Sequence, residues 1–322
     1  MNSLRFADLH CDTLLTMQQT GKGLDSAPGH ICLEKLARGG VLLQCFAAFL
    51  PMADCAEEYH IRVSPWEFFL NQAALFERET ARFPEILRPV RSMAEIGENR
   101  RAGRISAMLT LEDSACLEGK PERIQTLYDR GVRMATLTWN YENCVGYPHS
   151  GDPALHRRGL KEFGFAAVEE MNRLGIVVDV SHLSEGGFWD VVRAGKKPFA
   201  ASHSCARALC GHSRNLSDEQ LRSLGDKGGV CGVNFFSRFL RDGADHTENA
   251  DILAHMEHIA DKAGIEAVAL GSDFDGIDCT LEMGDCTGLP HLKELIADRF
   301  GCDAAEKICA GNALRLFADV IG

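Results

Sequence analysis

The chain has 322 residues, 45% of them hydrophobic, which is enough for one large core, and no run of about 18 apolar residues could span a membrane. Its formal net charge of −12 argues against nucleic acids and anionic membranes as partners. The thirteen cysteines are scattered, and the first residues lack the basic and apolar regions of a secretory signal, so we expect reduced thiols and a cytoplasmic protein.

Eight β-type runs follow one another along the chain, separated by segments with helical periodicity. We predict strands at residues 4–9, 41–50, 105–111, 132–139, 176–181, 198–202, 229–235 and 267–271. Helices are predicted at residues 159–174, 217–224, 251–263, 292–300 and 304–317. Several strands are almost wholly apolar, as is typical of parallel strands covered on both faces. The alternation predicts a single-domain (β/α)8 barrel of the TIM type over residues 1–322, with a doubly wound open sheet as the alternative.

Side chains that can bind metals recur where the predicted strands end. His10 and Asp12 end the first strand, and the alternation of an extended strand puts them on one face and Cys11 on the other. Four later strands end in the same way, with Glu112 and Asp113, with His182, with His203, and with Asp273 and Asp275. The carboxyl ends of all barrel strands meet on one face, so we expect these side chains to form the active site there. Residues 51–65 form a long connection and a candidate active-site loop.

Imidazole and carboxylate groups in this number suit two zinc ions rather than one. The pair from the first strand is predicted to hold one ion and the two later histidines the other, bridged by either Glu112 or Asp113. Two ions about 3.5–4 Å apart can share a hydroxide and polarise a carbonyl together. One carboxylate of the last strand, Asp273 or Asp275, would then be free to act as general base and acid.

The ordered motifs resemble those of the membrane (renal) dipeptidase family of binuclear zinc peptidases. The resemblance rests on L-H-C-D-T at 9–13, L-E-D at 111–113, D-V-S-H at 179–182, A-S-H-S at 201–204, R-N-L-S-D-E at 214–219, G-S-D-F-D-G at 271–276 and G-N-A-L-R at 311–315. It extends over almost the whole chain. It implies hydrolysis of dipeptides by a hydroxide bridging two Zn²⁺ ions on a barrel scaffold.

The resemblance also implies a role for each matching residue. One zinc would be held by His10 and Asp12, the other by His182 and His203, with Glu112 as the bridge. Asp273 would be the catalytic general base and acid, and Arg214 would hold the C-terminal carboxylate of the substrate. Small dipeptides are therefore the expected substrates, including those with a D-configured C-terminal residue.

One position departs from the family pattern. After the fourth strand the family carries a histidine that takes part in substrate binding and transition-state stabilisation, and this chain has Trp139 there. An indole cannot accept a proton or polarise a carbonyl as an imidazole can. Asn140, Asn143 or His149 could supply a donor from the same loop, and Asn140 and His149 are predicted to bind substrate.

Other interpretations stay open at this point. A related binuclear amidohydrolase that acts on a non-peptide amide or lactam would keep every metal ligand and would not need Arg214. A barrel that has lost catalysis and serves as a binding module is a third hypothesis. His255 and His258 imitate a metal pair but are expected on a solvated helix face, and Asp179 is expected to be a structural partner. The oligomeric state is open, with a homodimer as one option.

Overall fold

The computed structural model describes residues 5–51 and 55–322. In this part of the chain eleven strands are present, and eight of them form the central barrel. The strands are β1 Phe6–Asp8, β2 Val41–Phe49, β3 Leu87–Pro89, β4 Ile105–Glu112, β5 Val132–Thr136, β6 Val177–Asp179, β7 Ala200–Ser204, β8 Val230–Val233, β9 His246–Thr247, β10 Val268–Leu270 and β11 Thr280–Leu281.

The barrel runs in the order β1, β2, β4, β5, β6, β7, β8, β10, and every pairing is parallel. It closes because β10 pairs with β1, with Asp8 opposite Leu270. This closure confirms the predicted (β/α)8 barrel and excludes an open sheet. Each of the eight predicted runs contains a barrel strand, although residue 4 of the first run and residues 52–54 of the predicted loop lie outside the described residues. Three short strands were not predicted: β3, which pairs with the start of β4, and β9 and β11, which form a separate pair.

Helices follow or connect the strands and cover the barrel. They are α1 Thr13–Thr20, α2 Leu33–Gly39, α3 Cys55–Glu58, α4 Pro65–Arg82, α5 Met93–Arg101, α6 Glu122–Asp129, α7 Pro153–His156, α8 Glu162–Leu174, α9 Glu185–Ala194, α10 Asp218–Asp226, α11 Ser237–Leu240, α12 Asn249–Ala263, α13 Leu289–Phe300, α14 Cys302–Glu306 and α15 Asn312–Ile321. Short 3-10 turns lie at Ser114–Leu117, Ile265–Ala267 and Cys286–Gly288, and a π-helical turn at Lys307–Gly311 joins α14 to α15. None of the helices in the described ranges has the length and apolar character needed to cross a membrane.

Several predicted helices differ from the structure in their bounds, and the predicted helix at residues 304–317 is divided into α14, the π-helical turn and α15. The helix expected from residue 159 begins only at Glu162, because the Leu160 backbone N–H is held by Asp190 Oδ2 of α9 at 2.7 Å. The expected solvated face at His255 and His258 is wrong for His255, which is fully buried. Its Nδ1 accepts from the Ala206 backbone N–H at 3.0 Å and its Nε2 donates to the Leu240 carbonyl at 2.9 Å.

Two apolar layers stabilise the barrel. A large outer core lies between the strands and the surrounding helices, and a smaller cluster fills the barrel interior. The smaller cluster includes Val177 and Val230, the first residues of β6 and β8, together with Leu316 and Phe317 of α15. Because α15 packs on the first residues of the strands, the amino end of the barrel is closed with apolar side chains. Polar side chains therefore have room only towards the carboxyl end.

Candidate metal centre and active site

The six predicted site residues that belong to the barrel meet at its carboxyl end. Glu112 is the last residue of β4 and His203 lies in β7, while the others follow directly after β1, β6 and β10: His10, Asp12, His182 and Asp273. Parallel strands in a closed barrel bring these positions to one rim. The sequence interpretation that placed them together therefore agrees with the geometry.

Glu112 lies at the centre of the group. Its Oε1 is 2.9 Å from His182 Nε2 and 3.4 Å from His203 Nε2, and its Oε2 is 3.4 Å from His10 Nε2. His10 Nε2 lies in turn 3.6 Å from Asp12 Oδ1. The two oxygens of one carboxylate thus face two different sets of imidazoles, which is the arrangement that a bridging carboxylate needs.

Hydrogen bonds on the far side of each ring fix which nitrogen of His182 and His203 carries the proton. His182 Nδ1 lies 3.0 Å from Asn140 Oδ1, and an amide oxygen only accepts, so this nitrogen donates. His203 Nδ1 lies 2.7 Å from Ser202 Oγ, whose hydroxyl donates to Asp179 Oδ2 at 2.5 Å, so this nitrogen donates as well. Both Nε2 atoms then carry a lone pair, and they face each other at 3.0 Å. Such second partners orient metal-binding histidines in proteins.

The electrostatics favour neutral imidazoles on one side of the site. Burial and then the charge of Arg214 lower the pKa of His182 well below its ordinary value, and burial followed by His10 does the same for His203. Burial and the nearby Asp12 raise the pKa of Glu112 to about 8. A neutral imidazole is the form that binds a metal.

Divalent metal ions fit this set of donors. His10 Nε2, Asp12 Oδ1 and Glu112 Oε2 are buried and have no hydrogen-bond partner among the described residues. Ligand atoms lie within 4.8 Å of one another in two overlapping groups, His10 with Glu112 and His203, and His10 with Asp12 and Asp273. Within the described ranges, no lysine or arginine forms an ion pair with these carboxylates. Unpaired buried donors are costly unless a cation satisfies them.

A second pair of carboxyl groups holds the strands below the rim. Asp179 Oδ1 accepts from the Ser202 backbone N–H at 2.8 Å and its Oδ2 from the Thr136 hydroxyl at 2.6 Å, in agreement with the structural role predicted for it. Asp8 accepts from the Ser272 backbone N–H at 2.8 Å and from Gln44 Nε2 at 2.9 Å. These bonds tie neighbouring barrel strands together directly under the candidate metal ligands.

In each of the two predicted carboxylate pairs, one member faces the site and the other binds the protein. Asp113 Oδ1 accepts from Asn143 Nδ2 at 2.6 Å and from the Ala115 backbone N–H at 2.9 Å, so it cannot replace Glu112 at the centre. Asp275 accepts from the Thr13 hydroxyl at 2.6 Å and from the His30 backbone N–H at 2.5 Å, and its side chain is fully buried.

Asp273 is the member that faces the site. Its Oδ2 accepts from Asn234 Nδ2 at 2.8 Å, which leaves Oδ1, 3.9 Å from His10 Nε2, directed at the centre. Burial raises the pKa of Asp273 to about 6. The chain passes close to it at Gly276, where a Cβ atom would lie 2.5 Å from Asp273 Oδ1 and 2.2 Å from Asp12 Oδ2, so any other residue there would displace these two carboxylates. Sequence reasoning missed Asn234, although its position directly after β8 follows the same pattern as the predicted ligands.

The loop after β5 brings Asn140, but not His149, to the site. Asn140 Oδ1 accepts from both His182 Nδ1 and, at 3.1 Å, His149 Nε2. His149 Nδ1 is bonded to Ser213 Oγ at 2.8 Å, and burial followed by the charge of Arg214 lowers the pKa of His149 to about 2. Both ring nitrogens of His149 are therefore engaged, and the residue positions Asn140.

Asn143 and Asn140, the two asparagines among the donor candidates of this loop, differ in whether their amide groups are fully hydrogen-bonded. Asn143 is engaged on both ends of its amide, since Nδ2 donates to Asp113 and Oδ1 accepts from the Val145 backbone N–H at 2.7 Å. Asn140 Nδ2 has no hydrogen-bond partner in the described part of the chain, and Asn140 lines the cavity. Of the donors that the sequence left open, Asn140 is thus the one that geometry leaves free for a ligand.

Arg214 is buried beside the rim without an anionic partner. It is 3% exposed, its Nη2 donates to the His203 carbonyl at 3.2 Å and its Nη1 to Ser204 Oγ at 3.4 Å. Its Nε has no hydrogen-bond partner among residues 5–51 and 55–322. The guanidinium does not line the cavity itself, but lies 5.3 Å from the ring of Phe239, which does. Burial lowers the pKa of Arg214, as expected for a cation whose charge is not neutralised.

A cavity of about 290 Å³ opens onto these groups. Its polar floor contains Asp12, Glu112, His182 and Asp273, and its walls are mostly aromatic and aliphatic. This volume lies near the lower end of the range for small-molecule sites. A larger cleft of about 870 Å³ lies between α1 and α4, but three of its charged side chains, Asp25, Glu79 and Arg82, are paired with one another. The smaller cavity is therefore the candidate active site.

Comparison with known proteins gives a consistent result. A family model described as membrane dipeptidase, peptidase family M19, matches residues 1–321. A protein from the pqqA 5′ region of Klebsiella pneumoniae is 36% identical over 269 residues, which cover 80% of this chain and 97% of the relative. The dipeptidase aclJ of Aspergillus oryzae is 31% identical over 302 residues, which cover 92% of this chain and 71% of the relative.

Solved structures show the same similarity. A metallopeptidase from Rhodobacter sphaeroides, liganded with a phosphinate mimic of the dipeptide L-Ala-D-Ala, superposes with a TM-score of 0.89 at 25% identity over 99% of both chains. A dipeptidase described as a metallopeptidase of family M19 superposes with a TM-score of 0.88 at 26% identity, again over 99% of both chains.

Proposed function

The chain belongs to the membrane dipeptidase family of metallopeptidases, peptidase family M19, and from this premise we propose that it hydrolyses dipeptides at a centre of two zinc ions. The ions would be held by His10, Asp12, Glu112, His182 and His203. The observation that carries this proposal is the position of Glu112, whose two oxygens face His182 and His203 on one side and His10 on the other. When bound, the ions would supply Lewis acidity, which lowers the pKa of the attacking water and polarises the scissile carbonyl.

Asp273 is the proposed general base and acid. Asn234 holds Oδ2, so Oδ1 is the oxygen available to take a proton from the attacking water. The same oxygen would return the proton to the nitrogen of the leaving amino acid. Asp275 cannot take this role, because both of its oxygens bind the protein.

Two further residues position the substrate. Arg214 lacks an anionic partner and lies beside the cavity at Phe239, so binding of the free C-terminal carboxylate of a dipeptide to its guanidinium, through charge-assisted hydrogen bonds, would require that ring to move aside. Asn140 Nδ2 can donate to the oxygen on which negative charge develops, the task that the family pattern gives to the histidine replaced by Trp139. A cavity of about 290 Å³ suits a substrate of only two residues. Tolerance of a D-configured C-terminal residue is supported by the dipeptide mimic bound to the Rhodobacter sphaeroides relative.

The decisive experiment measures hydrolysis by protein that has been stripped with a chelator and reloaded with zinc. We expect cleavage of L-Ala-L-Ala and L-Ala-D-Ala that is lost on stripping and restored by zinc. C-terminally amidated dipeptides are the matched control and should be poor substrates, because they lack the carboxylate that Arg214 would bind. Equal cleavage of amidated and free dipeptides would favour the amidohydrolase alternative. The cytoplasmic location and the homodimer stay predictions.

A further inference from the structure

Three aromatic side chains form one wall of the active-site cavity. Phe49 is the last residue of β2. The centroid of its ring lies 4.8 Å from the ring centroid of Trp139 and 6.3 Å from that of Tyr59. All three line the cavity. We call these three residues the aromatic wall. Edge-to-face contacts at such distances stabilise a rigid surface.

Phe49, one member of the aromatic wall, lies across the barrel from Arg214. In the closed order of eight strands, β2 and β7 are four positions apart and therefore on opposite sides of the rim. Phe49 ends β2, whereas Arg214 donates to His203 of β7. This step rests on the proposed function: if Arg214 holds the C-terminal carboxylate and the scissile bond lies over Glu112, the N-terminal residue extends towards the wall.

The charges around the cavity restrict which side chain can lie there. Its floor holds the carboxyl groups of Asp12, Glu112 and Asp273, and no lysine or arginine is among the described residues that line it. On the aromatic wall an acidic side chain would lose water without meeting a lysine or arginine, since the proposed zinc ions would lie at the floor and be held by its carboxyl groups, whereas an apolar side chain would bury its surface on the rings. Trp139 lines the cavity beside Phe49 and enlarges this apolar surface.

We propose that Phe49, Tyr59 and Trp139 form the pocket for the N-terminal side chain of the dipeptide and select apolar side chains over glycine and acidic residues. Trp139 is the specificity-determining member, since its indole lies between Phe49 and His182, with ring centroids 4.8 and 6.2 Å away, and is therefore next to the candidate metal centre. The pocket would select side chains by their shape and by the apolar surface that they remove from water. The preference over glycine should therefore grow with the size of the apolar side chain.

The first test compares zinc-loaded wild-type protein on the series Gly-Ala, Leu-Ala, Phe-Ala and Glu-Ala. We expect kcat/KM for Leu-Ala and Phe-Ala to exceed that for Gly-Ala and Glu-Ala by about 10-fold or more. The mirror series Ala-Gly, Ala-Leu and Ala-Phe should span a smaller range. A flat first series in a protein that cleaves dipeptides overturns this inference and leaves the proposed function intact. Failure to cleave any dipeptide would overturn the proposed function instead.

Single-residue variants then test which side chain of the aromatic wall determines this preference. Trp139→Ala and Trp139→His should each reduce the ratio of kcat/KM for Leu-Ala over Gly-Ala to about 3 or less, and Tyr59→Ala should reduce it in part. Phe165→Ala, which removes an aromatic ring that is 41% exposed on α8, is the matched control and should preserve the ratio. If the variants instead lower kcat/KM equally for all substrates, the aromatic wall has only a structural role and the inference is overturned.

A binding measurement gives a readout that does not depend on turnover. The chain has three tryptophans, and Trp139 is the one that lines the cavity. A non-cleavable phosphinate analogue of Leu-Ala should change the tryptophan fluorescence of the wild type and bind more tightly than the Gly-Ala analogue. The fluorescence change should disappear in Trp139→Phe. Equal affinity for both analogues would contradict the assignment.

Discussion

Replacing Arg214 with methionine should separate catalysis from folding. Arg214 is 3% exposed, makes two long hydrogen bonds of 3.2 and 3.4 Å, and leaves its Nε without a partner in the described structure. Methionine keeps the unbranched apolar stem of the side chain and removes the charged guanidinium. The variant therefore loses little bonding within the protein and all of the affinity for an anion.

The magnitudes follow from these contacts. Both hydrogen bonds run from the charged guanidinium to neutral oxygens, a class that contributes about 1.5–3 kcal/mol per bond, and at 3.2 and 3.4 Å we expect the lower part of that range, which removal of a buried charge without an anionic partner offsets. We expect the free energy of unfolding to be unchanged or higher. For catalysis, loss of the charge-assisted bonds to the substrate carboxylate should reduce transition-state stabilisation by about 2–4 kcal/mol. This corresponds to a decrease in kcat/KM of roughly 30- to 1000-fold.

The assay measures kcat/KM on free and C-terminally amidated dipeptides, together with the thermal midpoint of each variant. The amide already lacks the contact, so Arg214→Met should hardly worsen amidated substrates, and the two changes must be non-additive. Arg207→Met is the matched control, because Arg207 pairs with Glu185 at 2.9 Å and should affect stability rather than substrate choice. If Arg214→Met destabilises the protein and weakens free and amidated substrates equally, Arg214 is a structural residue.

Three further predictions concern the centre itself. Metal analysis of zinc-saturated protein should give two ions per chain, and a value of one or none would contradict the bridging role of Glu112. Asp273→Asn should keep both ions and lower kcat by about 10²-fold or more, whereas Asp275→Asn should mainly lower the thermal midpoint; the reverse pattern would show that the wrong carboxylate was chosen. Asn140→Ala should free His182 to rotate and weaken one metal site by about 10- to 100-fold in a chelator competition, and unchanged affinity would remove Asn140 from the positioning role.

The barrel and its rim could be predicted from sequence because both depend on local pattern. Apolar runs mark the buried parallel strands, and the polar residues at the ends of five of the eight runs mark the rim. The alternation of side chains also placed Cys11 correctly: its Sγ donates to the Cys45 carbonyl at 3.3 Å, away from the metal ligands. The bounds of the strands shifted by one to three residues because pairing with a neighbour decides where a strand ends.

The choice within each carboxylate pair could not be derived from local pattern. Asp113 and Asp275 are recognisable as structural only through partners far along the chain, since Asn143 is 30 residues from Asp113 and Thr13 is 262 residues from Asp275. His255 was misplaced for the same reason. A helical period identifies a face, but the Leu240 carbonyl that buries this histidine belongs to another element.

The polar interior explains why metal binding and folding should be linked in this chain. Asp8, Asp12, Glu112, Asp179 and Asp273 lie at or just below one end of a barrel whose other end is apolar. Hydroxyl, amide and backbone donors satisfy the two lower carboxyl groups, but Asp12 Oδ1 and Glu112 Oε2 have no such partner among the described residues. Zinc ions would be the missing partners of these two oxygens, so the binding energy of the ions would add to the stability of the folded state. Stripping the metal should therefore lower the thermal midpoint as well as the activity, and the loss should be smaller in Glu112→Gln, which lacks the carboxylate proposed to bridge the ions.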